Sequence, residues 1–193
     1  MTERPALWLM DDDGELHRYR RDKALSEEDL RLFIEAHPET LGDVIILGRD
    51  VRTYGHGDVD LVAFDSDGQL WVIELKLGPA TREITKQTFG YASWGESATL
   101  RELSELYAAY SSGGSLSEEF ERRFAKRLPG RAERGLVVAT VAFKTDEHAH
   151  CQLEWLERHG GPVRAYEYAF LYADGIGIEG FEMQRVCLHG HGR

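Results

Sequence analysis

Asp60-Leu61-Val62-Ala63-Phe64-Asp65-Ser66-Asp67-Gly68-Gln69-Leu70-Trp71-Val72-Ile73-Glu74-Leu75-Lys76 is a run of aliphatic and aromatic residues broken once, at Ser66-Asp67-Gly68. A glycine closing a three-residue loop supplies the left-handed backbone that such hairpins need, so Asp65 and Gln69 become the closing pair of two antiparallel strands. In that register Asp60 stands opposite Glu74, and opposed residues share a sheet face with Cβ atoms ~4.5–5.5 Å apart. Lys76, two residues beyond Glu74, lies on the same face, with Val62, Phe64, Leu70 and Val72. The opposite face, Val59, Leu61, Ala63, Trp71, Ile73, Leu75 and Leu77, is also apolar. The pattern predicts a sheet covered on both sides, with a polar trio at one end.

Carboxylates placed opposite one another repel, so a fold that keeps them together needs a cation between them or a raised pKa on one. A hard divalent ion answers this economically. Mg²⁺ prefers oxygen ligands and retains several waters, so Asp60, Glu74 and the backbone carbonyl of Leu75 would hold Mg²⁺ or Mn²⁺ and leave positions for substrate. Lys76 would then help deprotonate or orient a water nucleophile, or neutralise charge developing at a phosphoryl group. Alone, Glu-x-Lys in a strand is commonly a surface ion pair; the matched register of Asp60 and the two apolar faces favour a site.

Working outward, Ser26 followed by Asp29 resembles a capping box, and Leu30, Phe33, Ile34 and His37 recur at helical spacing up to Pro38, which predicts a helix over 27–37. Glu27 borders its apolar face, where it either joins the carboxylates or complements the helix dipole; Glu28 and Glu35 are expected to point into solvent. Before it, 6–10 and 15–20 flank Asp11-Asp12-Asp13-Gly14 and read as an N-terminal hairpin or arm within 1–25. Strands are expected over 44–54, 59–65, 69–77, 136–143 and 163–172, with an edge strand over 181–188. Helices are expected over 81–94, 100–110, 116–128 and 146–159, and Ser111 to Ser115 should form a mobile loop. These elements make an α/β domain over 26–193, a mixed central β-sheet flanked by α-helices.

The chain has 193 residues, 42% of them apolar, which suffices for one core rather than two. Its longest apolar runs fall short of the ~20 residues that span a bilayer, and the N-terminus shows no secretory pattern, so a cytoplasmic protein without membrane partners is expected. Cys151 and Cys187 lack zinc or redox spacing. With 34 acidic against 23 basic side chains the net charge is −11, which disfavours indiscriminate binding to polyanions. Two stretches depart from that balance: His17-Arg18-Tyr19-Arg20-Arg21-Asp22-Lys23, and Arg122, Arg123, Lys126 and Arg127 continuing to Arg131 and Arg134. The second reads as a solvated helix face or a DNA-backbone contact. His148 and His150 cannot face one another on a helix and read as surface residues, while His56, between glycines, reads as part of a turn.

Ser26-Glu27-x-Asp29-Leu30, His37-Pro38-Glu39-x-Leu41, Asp58-Val59-Asp60-Leu61, Val72-Ile73-Glu74-Leu75-Lys76, Arg82 and Gln87-x-x-x-Tyr91-Ala92-Ser93-Trp94, in that order, resemble the PD-(D/E)XK nuclease superfamily, closest to the nuclease domain of NucS-type endonucleases and related small standalone proteins. Val59-Asp60 stands where the signature has Pro-Asp. The resemblance implies a restriction-endonuclease-like fold and a divalent-metal-dependent DNA endonuclease leaving 5′-phosphate and 3′-hydroxyl ends. It assigns Asp60 and Glu74 as metal ligands, Lys76 as the catalytic lysine and Glu27 as the helical acid. Gln87 and Tyr91 match its Gln-x-x-x-Tyr element, with Gln87 at the catalytic centre and Tyr91, beside Arg82, on the DNA side. A homodimer would suit double-strand cutting. The rival expectation is a nuclease fold without turnover that binds nucleic acid or a protein partner.

Overall fold

In a computed structural model of the chain, which describes residues 6–10, 13–53, 57–130, 133–173 and 177–186, the central hairpin closes where its sequence requires. Gly68 has φ +74, Asp65 N–H donates to the Gln69 carbonyl at 3.1 Å, and Leu61, Val62, Ala63 and Phe64 face Ile73, Val72, Trp71 and Leu70. The elements run β1 (Trp8–Met10), β2 (Leu16–Asp22), α1 (Glu27–Ala36), a 3₁₀ turn (Pro38–Thr40), β3 (Val44–Thr53), β4 (Gly57–Asp65), β5 (Leu70–Ala80), α2 (Ile84–Ser97), α3 (Leu100–Tyr110), α4 (Leu116–Phe124), β6 (Leu136–Thr145), α5 (Glu147–Arg158), β7 (Val163–Ala173) and β8 (Gly177–Arg185). The strands form one mixed sheet in the order β1-β2-β7-β6-β5-β4-β3, with β8 also paired to β7. β3, β4 and β5 are an antiparallel meander; β5, β6 and β7 are parallel, and parallel neighbours need crossovers, supplied here by α2–α4 and by α5.

Both sheet faces are buried. On one, Leu30 and Ile34 of α1 pack on Leu61, Ala63, Trp71, Ile73, Leu75, Val141 and Tyr168. On the other, Tyr91, Leu103, Leu116 and Phe120 of α2, α3 and α4 pack on Val62, Phe64, Leu70, Val72 and Val138. Val59, expected beside Leu61, belongs to the second group. The strand alternation breaks at Asp60, where the facing strand carries Asp50 with a positive φ of +49 between the pairs Arg49–Leu61 and Val51–Val59.

Several boundaries move for local reasons. β5 continues through Gly78-Pro79 to Ala80 because β4 has already left that edge, where a proline without an N–H is tolerated, and the register with β6 shifts between Lys76 and Pro79. α2 begins at Ile84 and runs on to Ser97, after which Thr99 and Glu102 form the capping box that starts α3. α4 stops at Phe124 because Ala125 turns left-handed. Ser111 Oγ accepts from Gly114 N–H at 2.9 Å and donates to the Tyr107 carbonyl at 2.7 Å, so the Ser/Gly segment closes as a bonded turn. Glu35, expected in solvent, has a side chain only 9% exposed, because Arg31 and Arg49 reach it at 2.7 and 3.4 Å. Among the described residues, no helix is long and apolar enough to cross a membrane. His56, Arg131 and Cys187 lie outside the described residues.

The N-terminal hairpin is part of the sheet: β2 pairs with the end of β7, from Asp22 against Phe170 to Tyr19 against Ala173. Its exit is fixed by the Tyr168 hydroxyl, which accepts from Ala24 N–H at 3.3 Å and donates to the Leu77 carbonyl at 3.2 Å. Tyr168→Phe leaves that N–H and carbonyl without their partner, and should cost about 1–2 kcal/mol in urea unfolding with the circular dichroism spectrum unchanged.

Candidate active site

The site is a fork in the sheet. The β4–β5 ladder ends at the pair Leu61–Ile73, while β5 stays paired with β6 through Glu74–Thr140, Leu75–Val141 and Lys76–Ala142. A strand residue points its N–H and C=O to the same side, so beyond the last pair both groups of Leu75 face the gap left by β4. The N–H is taken by a side chain: Asp60 Oδ2 accepts from it at 2.6 Å. Asp60 therefore stands at the mouth of the fork, near enough to Glu74 for their charges to act on one another.

Glu74 is 4% exposed and its carboxylate is held from three directions. Lys76 Nζ lies 2.6 Å from Oε1, Gln87 Nε2 donates to Oε1 at 2.8 Å, and the Tyr91 hydroxyl is 2.9 Å from Oε2. That hydroxyl is also 2.9 Å from the Asp58 carbonyl, tying α2 to β4 on the far side of the gap. The four-residue spacing of Gln87 and Tyr91 stacks them on one helix face with Ile84, and it is this face that α2 turns towards β5. From the other sheet face, Glu27 at the start of α1 accepts from Leu77 N–H at 3.2 Å.

The electrostatics follow from this crowding. Burial, then the neighbouring Glu74, push the Asp60 carboxyl up to about 7. Burial works against the Lys76 ammonium, but its bond to Glu74 and the charges of Glu74, Glu27 and Asp60 outweigh it, and its pKa rises above the usual lysine value. Lys76 is thus a fixed cation, suited to neutralising and orienting rather than to removing a proton. Burial, then Glu74, also raise the Tyr91 hydroxyl well above its usual range, which keeps it a donor.

The donor set fits a hard divalent cation. Asp60, Glu74 and Glu27 against Lys76 leave two negative charges when Asp60 is ionised, Asp60 Oδ1 carries no hydrogen bond among the described residues, and the Leu75 carbonyl faces the same gap. Two carboxylates with a carbonyl are the kind of incomplete oxygen set that Mg²⁺ accepts. Among the described residues no three His, Cys, Asp or Glu side chains enclose a single point, so protein ligands alone do not complete a coordination shell.

Asp60, Glu74, Lys76, Gln87, Glu27 and the Leu75 backbone are thus brought together. Tyr91, placed by resemblance on the DNA side, is 1% exposed and positions Glu74 instead. Arg82 follows β5 at the same end of the sheet, its side chain 75% exposed beside Glu83. Arg122, Arg123, Lys126 and Arg127 are not part of this group. Arg123 pairs with Asp43 and Lys126 donates to the Ser66 carbonyl, both at the loop end of the β4–β5 hairpin; Arg122 pairs with Glu119 and Arg127 with Glu133. The Leu75 N–H and the Asp58 carbonyl were not readable from sequence, since backbone groups leave no residue-type signal.

No protein-family profile and no curated protein matches this chain. Among solved structures it is similar to a repair endonuclease from Pyrococcus abyssi, at a TM-score of 0.43 and 19% identity over 77% of this chain and 50% of that one. It is similar also to EndoMS in a complex with double-stranded DNA, at a TM-score of 0.44 and 19% identity over 84% of this chain and 64% of that one. The chain spans between half and two thirds of the length of these two proteins.

Proposed function

We propose that this protein is a divalent-metal-dependent DNA endonuclease that hydrolyses phosphodiester bonds to 5′-phosphate and 3′-hydroxyl ends. The observation that carries the reading is the sheet fork, where Asp60, Glu74 and Lys76 converge within a gap that β4 opens and α2 braces. Asp60, Glu74 and the Leu75 carbonyl would hold Mg²⁺ or Mn²⁺, which supplies Lewis-acid polarisation of a phosphoryl oxygen. Lys76, held charged by Glu74, orients the attacking water and offsets the charge that develops on the phosphoryl oxygens. Gln87 and Tyr91 fix the Glu74 carboxylate so that it does not turn towards solvent, and Glu27 limits the fork on the α1 side. Arg82, exposed at the rim beside Glu83, would meet a backbone phosphate.

Substitution of Asp60, Glu74 or Lys76 by alanine should abolish cleavage of labelled single-stranded, duplex and branched DNA in Mg²⁺ or Mn²⁺, with the melting temperature measured alongside. Wild-type rates in any of the three would refute the assignment. Gln87→Ala, which loosens Glu74 without removing a ligand, should slow cleavage about 10–100-fold.

The electrostatic strain has its own readout. The Asp60 pKa in the folded protein, about 7, exceeds its ordinary value of 3.8, so the native state binds a proton that the unfolded chain releases in this window. Its contribution to stability is complete below about pH 4 and is lost as pH rises through 7. In EDTA, Asp60→Asn should therefore melt higher than wild type by a margin that grows between pH 5 and pH 8. Adding Mn²⁺ at pH 8 should raise the wild-type melting temperature and leave the variant unmoved; a variant that gains as much from Mn²⁺ would remove Asp60 from the metal site.

A further inference from the structure

The β1–β2 hairpin carries an exposed aromatic and cationic face that the carboxylate site does not use. Trp8 and Arg18 are cross-strand partners, with the guanidinium 6.0 Å from the indole centroid and the Trp8 side of the strand open to solvent at 54% exposure. Strand alternation puts Arg20 on the same face as Arg18, opposite Tyr172 of β7. Beyond it, Arg20, Lys23, Ala24, Leu25 and Tyr172, with Asp22, line a concavity of about 330 Å³. Arg21 points the other way and pairs with Glu182.

This face leads towards the fork. Lys76, Ala142 and Glu167 form one row across the parallel strands, and Phe170, three residues further along β7, is where β2 joins. Ala24 and Leu77 share the Tyr168 hydroxyl, and Leu77 N–H meets Glu27, so the concavity lies on the α1 side of the carboxylates.

We propose that the hairpin face formed by Trp8, Arg18, Arg20, Lys23 and Tyr172 binds a single-stranded nucleic-acid segment and leads it to the Glu27 side of the fork. Charge complementarity selects a polyanion: in a chain of net charge −11, this face gathers the three cations Arg18, Arg20 and Lys23 against one carboxylate, Asp22. The exposed indole selects a single strand, since an unpaired base offers it a stacking face that a duplex hides. Delivery to the fork rests on the nuclease reading, whereas the binding itself does not.

The test is fluorescence anisotropy of a labelled single-stranded oligodeoxynucleotide and its duplex, in EDTA, over a range of salt, with wild type and Glu74→Ala. Both proteins should bind the single strand more tightly than the duplex. Trp8→Ala should weaken binding about tenfold and Trp8→Phe should restore most of it, while Arg18→Ala should lower the slope of log affinity against log salt by roughly 0.7. Unchanged affinity in both Trp8→Ala and Arg18→Glu would overturn the proposal, as would tighter duplex binding indifferent to Trp8. A change of sedimentation in Trp8→Ala without loss of affinity would also overturn it, assigning the face to a second copy of the chain. Hairpin-dependent binding without cleavage would sink the nuclease reading alone; Glu74-dependent cleavage with binding insensitive to the hairpin would sink this proposal alone.

Discussion

A single hydrogen bond, from Leu75 N–H to the Asp60 carboxylate, takes over where the β4–β5 backbone ladder stops. Had the ladder continued, β4 would have filled the space beside Glu74 with main chain, and two carboxylates would face one another across a closed sheet. Because β4 pairs with β5 only from Leu61 onward while β5 keeps its pairing with β6 beyond Ile73, the freed N–H of Leu75 needs an acceptor, since a polar group left unbonded in this setting is costly. Asp60 supplies the acceptor through Oδ2 and is thereby fixed at the opening, its other oxygen carrying no hydrogen bond among the described residues.

The surrounding elements make that arrangement durable. α2 is the first element of the crossover from β5 to β6, so it lies over the strand that carries Glu74, and one helix face delivers both Gln87 and Tyr91 to the same carboxylate. α1 approaches from the opposite face with Glu27, and Tyr168 ties the approach segment to the β5 backbone. Like charges are kept together by donors that reach them from β5 and α2.

Much of this was legible in the sequence because it depends on short-range rules. Gly68 set the hairpin register, and the register set Asp60 against Glu74; the spacing from Ile84 to Tyr91 placed two polar side chains on an inward face. The rest depends on contacts between distant segments. That β4 pairs with β5 only from Leu61 onward, and that Val59 crosses to the other core opposite the left-handed Asp50 of β3, belong to strand pairing rather than to residue type. The burial of Glu35 needed Arg49 from β3, and the docking of Arg123 and Lys126 needed Asp43 and Ser66. Helical spacing showed that Tyr91 faces inward but not that its hydroxyl would meet Glu74.

The order of the strands has a kinetic consequence. β3, β4 and β5 are consecutive antiparallel strands joined by short connections, whereas β6 and β7 are separated from their sheet neighbours in sequence by α2–α4 and by α5. Loop closure is least costly for the nearest neighbours in sequence, so the meander can form while the remainder of the chain is still disordered, bringing Asp60 and Glu74 face to face before Thr140 and Val141 secure β5 from the other side. The repulsion between the two carboxylates then acts on an early species as well as on the finished protein, and counter-ions that reach it at that stage would speed folding as well as stabilise its end point.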